Sequence, residues 1–303
     1  MKNLVSLSLC GNVLGVRGLT VLLQEGNLYQ ISHLDLSDCD IGDEGAFKLS
    51  QFLSKSFSKV KNLVLKMNGI GRDGMNCLAD GLTTNQSLTT LHMQCNEIDD
   101  IGVHALMKSL SLGISNIEDL SLSANLISEM GAKEIASMLH KTKLKRLHLD
   151  HNFIGDEGAQ HLAQALNGNI QNQRLEELSL TSNDLSNKSV NTIADALATN
   201  CTLNSLTVEN NPRLDRRGAS AFVQCLQTNR SLYKLKILEE NYENHLLNGK
   251  IQLYLELNQL RHRYMGNVSI SDAAWPHILA EMKQIDLIYF LLRGRPDLFE
   301  GCL

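Results

Sequence analysis

The stretch Leu144-Lys145-Arg146-Leu147-His148-Leu149-Asp150-His151-Asn152, with Gly-Asp-Glu-Gly-Ala following at 155–159, decides the fold. Leu147 and Leu149 alternate with Arg146, His148 and Asp150, the period of a strand with one buried face. Asn152 closes the alternation with a side chain able to bond backbone groups where the chain turns away. Gly155 belongs to the small set of residues that cap helix N-termini. Ala159, Leu162, Ala163 and Leu166 then fall on one helical face, with Gln160, His161 and Gln164 outward. The unit is therefore a short strand, a turn and a helix.

The pattern L-x-x-L-x-L-x-x-N/C-x-L recurs from Leu4, Ile31, Val60, Leu88, Ile117, Leu144, Leu175, Leu203 and Leu232, at intervals of 27 to 31 residues. Its ninth position holds Asn12, Cys39, Asn68, Asn96, Asn125, Asn152, Asn183 and Asn211, which read as a structural ladder. Helices are expected to be capped at Gly15, Gly42, Gly71, Asp99, Ser128, Gly155, Ser186 and Asp215. Three residues on come Gly18, Gly45, Gly74, Gly102, Gly131, Gly158, Ser189 and Gly218, small enough for neighbouring helices to approach closely. One such unit cannot bury its own apolar faces, so successive units must stack. The expected architecture is an α/β solenoid, a horseshoe with parallel strands on the concave face and helices on the convex face.

These repeats resemble the ribonuclease-inhibitor type of leucine-rich repeat, which is set apart from shorter types by its full helix and by Gly-Asp-Glu-Gly-Ala segments, present here at 42–46 and 155–159. The resemblance covers residues 1–239, about nine repeats. It implies protein binding and no chemistry, a role shared by ribonuclease inhibitor, the Ran GTPase-activating protein and the sensor domains of NOD-like receptors. The leading expectation is a non-catalytic scaffold for a protein partner. The alternatives are a Ran-type activator, whose partner would be a small GTPase, and the sensor region of a larger NOD-like receptor or ligase. Against the activator, the C-terminal segment is not acidic. Against ribonuclease inhibitor itself, cysteines are few and the concave face carries no aromatic contacts.

Near Glu240 the pattern stops, because this residue stands where the ladder asparagine belongs. Seven of the fourteen aromatic residues lie from Tyr242 onward, which suits burial, so residues 240–303 are expected to form a helical capping subdomain with helices near 276–282 and 285–292. At the other end the repeat is already under way at Leu4. Leu7 and Leu9 would then meet solvent, so either the natural polypeptide is longer or self-association covers this end.

Composition narrows the field. At 43% hydrophobic and 20% charged residues, the 303-residue chain is too apolar for disorder, and no stretch reads as a membrane span or signal core. A net charge of −5 without a run of like charge gives no sign of nucleic-acid or membrane binding. Seven cysteines without CxxC spacing, among them Cys77 and Cys225 at apolar helical positions, read as buried thiols of a cytoplasmic protein, with the nucleus as the alternative. Asn-x-Ser/Thr sequences begin at Asn85, Asn187, Asn200, Asn229 and Asn267, but those at 85, 200 and 229 are one loop position recurring, not glycosylation sites.

No P-loop, nucleophile elbow, HExxH helix or paired CxxC is present, so neither enzyme activity nor a cofactor is expected. The group closest to a metal site is His148, Asp150 and His151 beside Arg146. His92 sits two strands away, about 10 Å, too far to share one ion with them. The adjacent strands offer only Ser121, Ser123, Ser179 and Thr181. The concave positions carry no aromatic anchor, so a polar contact of modest affinity is expected. Its densest polar cluster is Arg146, His148, Asp150, His151, Glu177, Ser179 and Thr181, the expected partner-binding residues. Reversing Arg146 and Asp150 together is expected to leave folding intact.

Overall fold

The computed structural model describes residues 4–24, 28, 30–168, 174–238 and 245–265. Nine three-residue strands among them form one parallel sheet in chain order: Ser6–Ser8 (β1), His33–Asp35 (β2), Asn62–Val64 (β3), Thr90–His92 (β4), Asp119–Ser121 (β5), Arg146–His148 (β6), Glu177–Ser179 (β7), Ser205–Thr207 (β8) and Lys234–Lys236 (β9). Each is followed by a helix: Gly15–Leu22 (α1), Gly42–Leu53 (α2), Arg72–Leu82 (α3), Asp100–Ser111 (α4), Glu129–Met138 (α5), Gly155–Leu166 (α6), Asn187–Leu197 (α7), Arg216–Thr228 (α8) and His245–Met265 (α9). Strands pack about 4.8 Å apart and helices about 8–10 Å apart, so the strand side lies inside the curve.

The middle residues of the strands form a single column in register: Leu7, Leu34, Leu63, Leu91, Leu120, Leu147, Leu178, Leu206 and Leu235. Leu34 through Leu206 are fully buried, whereas the terminal Leu7 and Leu235 are only partly covered. In the first repeat Val5, Val13 and Val21 are exposed.

The ladder asparagines tie each repeat to the one before it. Asn125 Nδ2 donates to the Met93 carbonyl of the preceding repeat (3.0 Å) and to Leu122 O (3.0 Å), while its Oδ1 accepts from Ile98 N (3.0 Å). Asn152 and Asn183 do the same one and two repeats on. At Cys39 the thiol takes the donor's part, reaching Leu9 O (3.2 Å) and Ser37 O (3.4 Å). The loop asparagines form a second ladder. Asn85, Asn200 and Asn229 are buried and donate to Leu53, Leu166 and Leu197 carbonyls, which seals these side chains away from modification in the fold.

Helix starts divide into three kinds, which corrects the expectation of a uniform cap: Gly71 is an extended cap residue without a side-chain acceptor. Asp99, Ser128, Ser186 and Asp215 accept from the first helical N–H groups. Gly15, Gly42 and Gly155 instead are the first helical residues and hold φ of +58°, +55° and +59°, a region open to glycine. The small residues three positions on do set helix spacing: a Cβ on Gly158 would come within 3.0 Å of Ala132 Cβ and Glu129 Cα.

At the C-terminal side α9 packs with Ile251, Leu255 and Leu257 buried, and Asn258 Nδ2 donates to Asn229 O (3.1 Å) and Leu232 O (2.9 Å). The helices expected near 276–282 and 285–292, and the ladder position at Glu240, lie outside the described residues. No described helix is long and apolar enough to cross a membrane.

Candidate functional site: the central concave strands

In β5 to β7 the outward residues face one another across the ladder. Arg146 is in register with Asp119 on one side and Glu177 on the other, and His148 with Ser121 and Ser179. Opposite charges at adjacent positions pair: Arg146 Nε donates to Asp119 Oδ2 at 2.8 Å. His92 on β4 brings Nε2 to 3.6 Å from Asp119 Oδ1, beyond hydrogen-bonding distance. Burial pushes the Asp119 carboxyl up, but His92 and the Arg146 guanidinium outweigh it and hold the group at about 2. The same carboxylate raises the Arg146 guanidinium above its ordinary value.

One turn further along, Asp150 accepts from Ser179 Oγ, from the Thr181 backbone N–H (2.8 Å) and from Ser123 Oγ (3.2 Å). It thereby spans three repeats. The structure thus gathers all seven expected residues onto two adjacent strands and the turns that follow them, but their states differ. Arg146 and Asp150 are committed to structural bonds, and Ser179 is buried, 8% exposed, with its hydroxyl given to Asp150. Thr181 contributes its main chain to that network. The side chains of His148, His151 and Glu177 make no hydrogen bond or ion pair with described residues. His151 is exposed and adopts φ +54°.

Two corrections follow. Ser121 and Ser179 are not solvent-facing: Ser121 is 2% exposed, and Ser179 lies under Asp150, to which its hydroxyl donates. Reversing Arg146 and Asp150 would not leave folding alone, since it would set like charge against Asp119 and remove the acceptor for Ser179 and Thr181. Asp119, His92 and Ser123 belong to the cluster and were left out of it by sequence reading. Their signal was available: Asp119 precedes Arg146 by one repeat at the same position.

Among the described residues no group of three His, Cys, Asp or Glu side chains is placed to hold a metal ion. The thiols also differ from expectation. Cys10, Cys95 and Cys201 are exposed and Cys77 is half-buried, leaving Cys39 and Cys225 buried among the described cysteines. Burial pushes the Cys225 thiol up to about 12.

A family model described as Leucine Rich repeat matches residues 31–50, 84–107, 140–163 and 171–194. NACHT, LRR and PYD domains-containing protein 12 of Mus musculus is 28% identical over 242 residues, 69% of this chain and 23% of that protein. Ribonuclease inhibitor of Mus musculus is 30% identical over 182 residues, 60% of this chain and 40% of that protein. The match therefore spans less than half the length of each of these relatives. Among solved structures, the tropomodulin C-terminal domain of Caenorhabditis elegans aligns with a TM-score of 0.46 at 16% identity, covering 53% of this chain and 95% of that one.

Proposed function

We propose, from the premise that this chain is a leucine-rich-repeat protein of the ribonuclease-inhibitor type, that it is a non-catalytic scaffold binding a protein partner across the central strands of its concave face. The observation that carries this reading is the contrast within the cluster. Arg146 is locked to Asp119 and Ser179 to Asp150, while the side chains of His148, His151 and Glu177 stand beside them uncommitted. A surface whose framework is already bonded loses little freedom on binding, so its free polar groups can recognise a partner at low entropic cost. In this reading residues 240–303 close the array, and the protein works in the cytosol or nucleus.

The test substitutes the free groups and spares the framework. His148→Ala, His151→Ala and Glu177→Ala are combined, and proteins retained by the immobilised chain are compared quantitatively with those retained by the variant. A partner lost at least about tenfold, with the circular dichroism unchanged, supports the concave site. Undiminished recovery overturns it and moves attention to residues 254–263. A second reading, the sensor region of a longer receptor, is favoured by similarity to the mouse NACHT, LRR and PYD domains-containing protein over 69% of the chain. An immunoblot of the endogenous protein raised against 144–166 would show a species far above 33.6 kDa if that reading holds. A band at that mass would end it.

A further inference from the structure

Beside the concave face runs the rim where strands hand over to helices, and its central part is apolar. The position after the ladder residue is Val13 in the first repeat, Asp40, Gly69 and Glu97 in the next three, Leu126 and Phe153 in the fifth and sixth, and Asp184 and Pro212 after them, so the fifth and sixth are the two adjacent repeats that carry an apolar residue there. The second residue past the helix cap is Glu44, Asp73, Lys188 or Arg217 elsewhere, but Ile101 in α4 and Met130 in α5. These four side chains are 49%, 66%, 50% and 52% exposed respectively.

The main-chain segments that carry them are neighbours. Phe153 N donates to Ile127 O (2.8 Å), Leu126 N donates to Ile98 O (2.9 Å), and Phe153 forms a parallel bridge with Ser128. Ile101 and Met130 each follow by two residues the caps Asp99 and Ser128 on those same repeats. Exposed apolar residues scattered singly need no explanation, but a contiguous set ringed by polar groups marks a contact surface. The ring is acidic. Glu97, Glu129 and Glu157 are exposed around the four, their carboxylates making no hydrogen bond or ion pair with a described residue, whereas the nearby Arg72 is tied to Asp99. Lys133 on α5 is also exposed, one helical turn beyond Glu129.

We infer that Ile101, Leu126, Met130 and Phe153 form a docking site for a basic amphipathic helix of a partner protein. Its apolar face would lie on the four side chains and its flanking lysines or arginines against Glu97, Glu129 and Glu157. The charges decide the occupant: an acidic or neutral segment gains nothing from three unpaired carboxylates, and a basic one gains attraction at each. Met130 adds an adaptable contact, and Phe153 supplies the aromatic anchor that the concave face lacks. The site stands apart from the proposed concave contact, although Phe153 lies only two residues beyond His151.

The probe is a fluorescein-labelled amphipathic helix of about 18 residues, leucine on one face and lysine on its flanks, titrated with the full chain by fluorescence anisotropy. Phe153→Ser with Met130→Ser is expected to weaken binding at least tenfold. Glu97→Gln with Glu157→Gln is expected to weaken it less and to flatten its dependence on salt between about 0.05 and 0.5 M. His148→Ala with Glu177→Ala should leave it unchanged, which separates this site from the concave one. Absence of binding by the leucine/lysine peptide overturns the inference, as does binding undiminished by the Phe153 and Met130 substitutions. Equal binding of a leucine/glutamate peptide overturns the choice of a basic occupant. Concentration-dependent dimerisation abolished by Phe153→Ser would make a second copy the occupant instead.

Discussion

At the scale of single residues, the repeat is held by side chains that do a backbone's work. Asn125 donates to the Met93 and Leu122 carbonyls, which Asn96 and Asn152 also reach, and accepts from the Ile98 N–H. Asn125→Ala leaves the buried Ile98 N–H unpaired and takes one of two donors from each carbonyl, and should cost about 1–3 kcal/mol, read as a lowered urea midpoint. Asn125→Cys should recover part of that loss, because Cys39 fills the donor role at the equivalent position. A cysteine variant no better than alanine would show that the acceptor half of the ladder dominates. Asp119 offers a pH test. Its folded-state value of about 2 lies below the ordinary 3.8, so its contribution is fully present above the unfolded value and is lost as pH falls through the folded one. The stability gap between wild type and Asp119→Asn should be about 1–2 kcal/mol above about pH 5 and close by about pH 2. A gap independent of pH would remove the ion pair with Arg146 as its source.

At the scale of elements, each strand has one face in the core and one in solvent, and three residues suffice because the neighbours complete the sheet. Leu147 sits in the buried column between Leu120 and Leu178. Leu147→Ala should therefore cost about 2–5 kcal/mol, whereas His148→Ala, one residue away, should stay within about 0.5 kcal/mol. Chemical denaturation of the two variants checks the strand phase, and equal losses would mean it is inverted. Between helices the connections are polar and directional. Asp100 on α4 accepts from Ser128 N (2.8 Å) and Gly131 N (3.0 Å) at the start of α5, and Asp156 on α6 does the same for Ser186 before α7. A carboxylate at one helix start thus caps the next as well, where the helix dipole favours negative charge.

At the scale of the whole molecule, stability is a sum over neighbours, so an element with a neighbour on both sides is held better than one at an end. β1 and α1 have a partner on one side among the described residues, and Leu7 and Leu9 are only partly buried. Hydrogen exchange should be fastest at the Leu7 and Leu9 amides and slowest at those of Leu120, Leu122, Leu147 and Leu149, with a graded fall between them. Uniform protection across the sheet would mean that the array opens as a single cooperative unit.

The sequence by itself determined the repeat, its phase and its ladder. Period-two leucines and a recurring asparagine are local patterns whose meaning does not depend on what packs against them, so Leu147, Asn152 and Gly158 could be assigned from spacing alone. It also brought the central concave residues into one neighbourhood, because parallel strands in register convert a repeat interval into adjacency. Only the tertiary structure decided which of those residues are free. Arg146 and Asp150 read as available charges along one strand, yet their partners Asp119, Ser179 and Thr181 lie about one repeat away in sequence. The rim patch escaped sequence reading for the same reason. Ile101, Leu126, Met130 and Phe153 share no period within a repeat, and only stacking turns four separate residues into one surface.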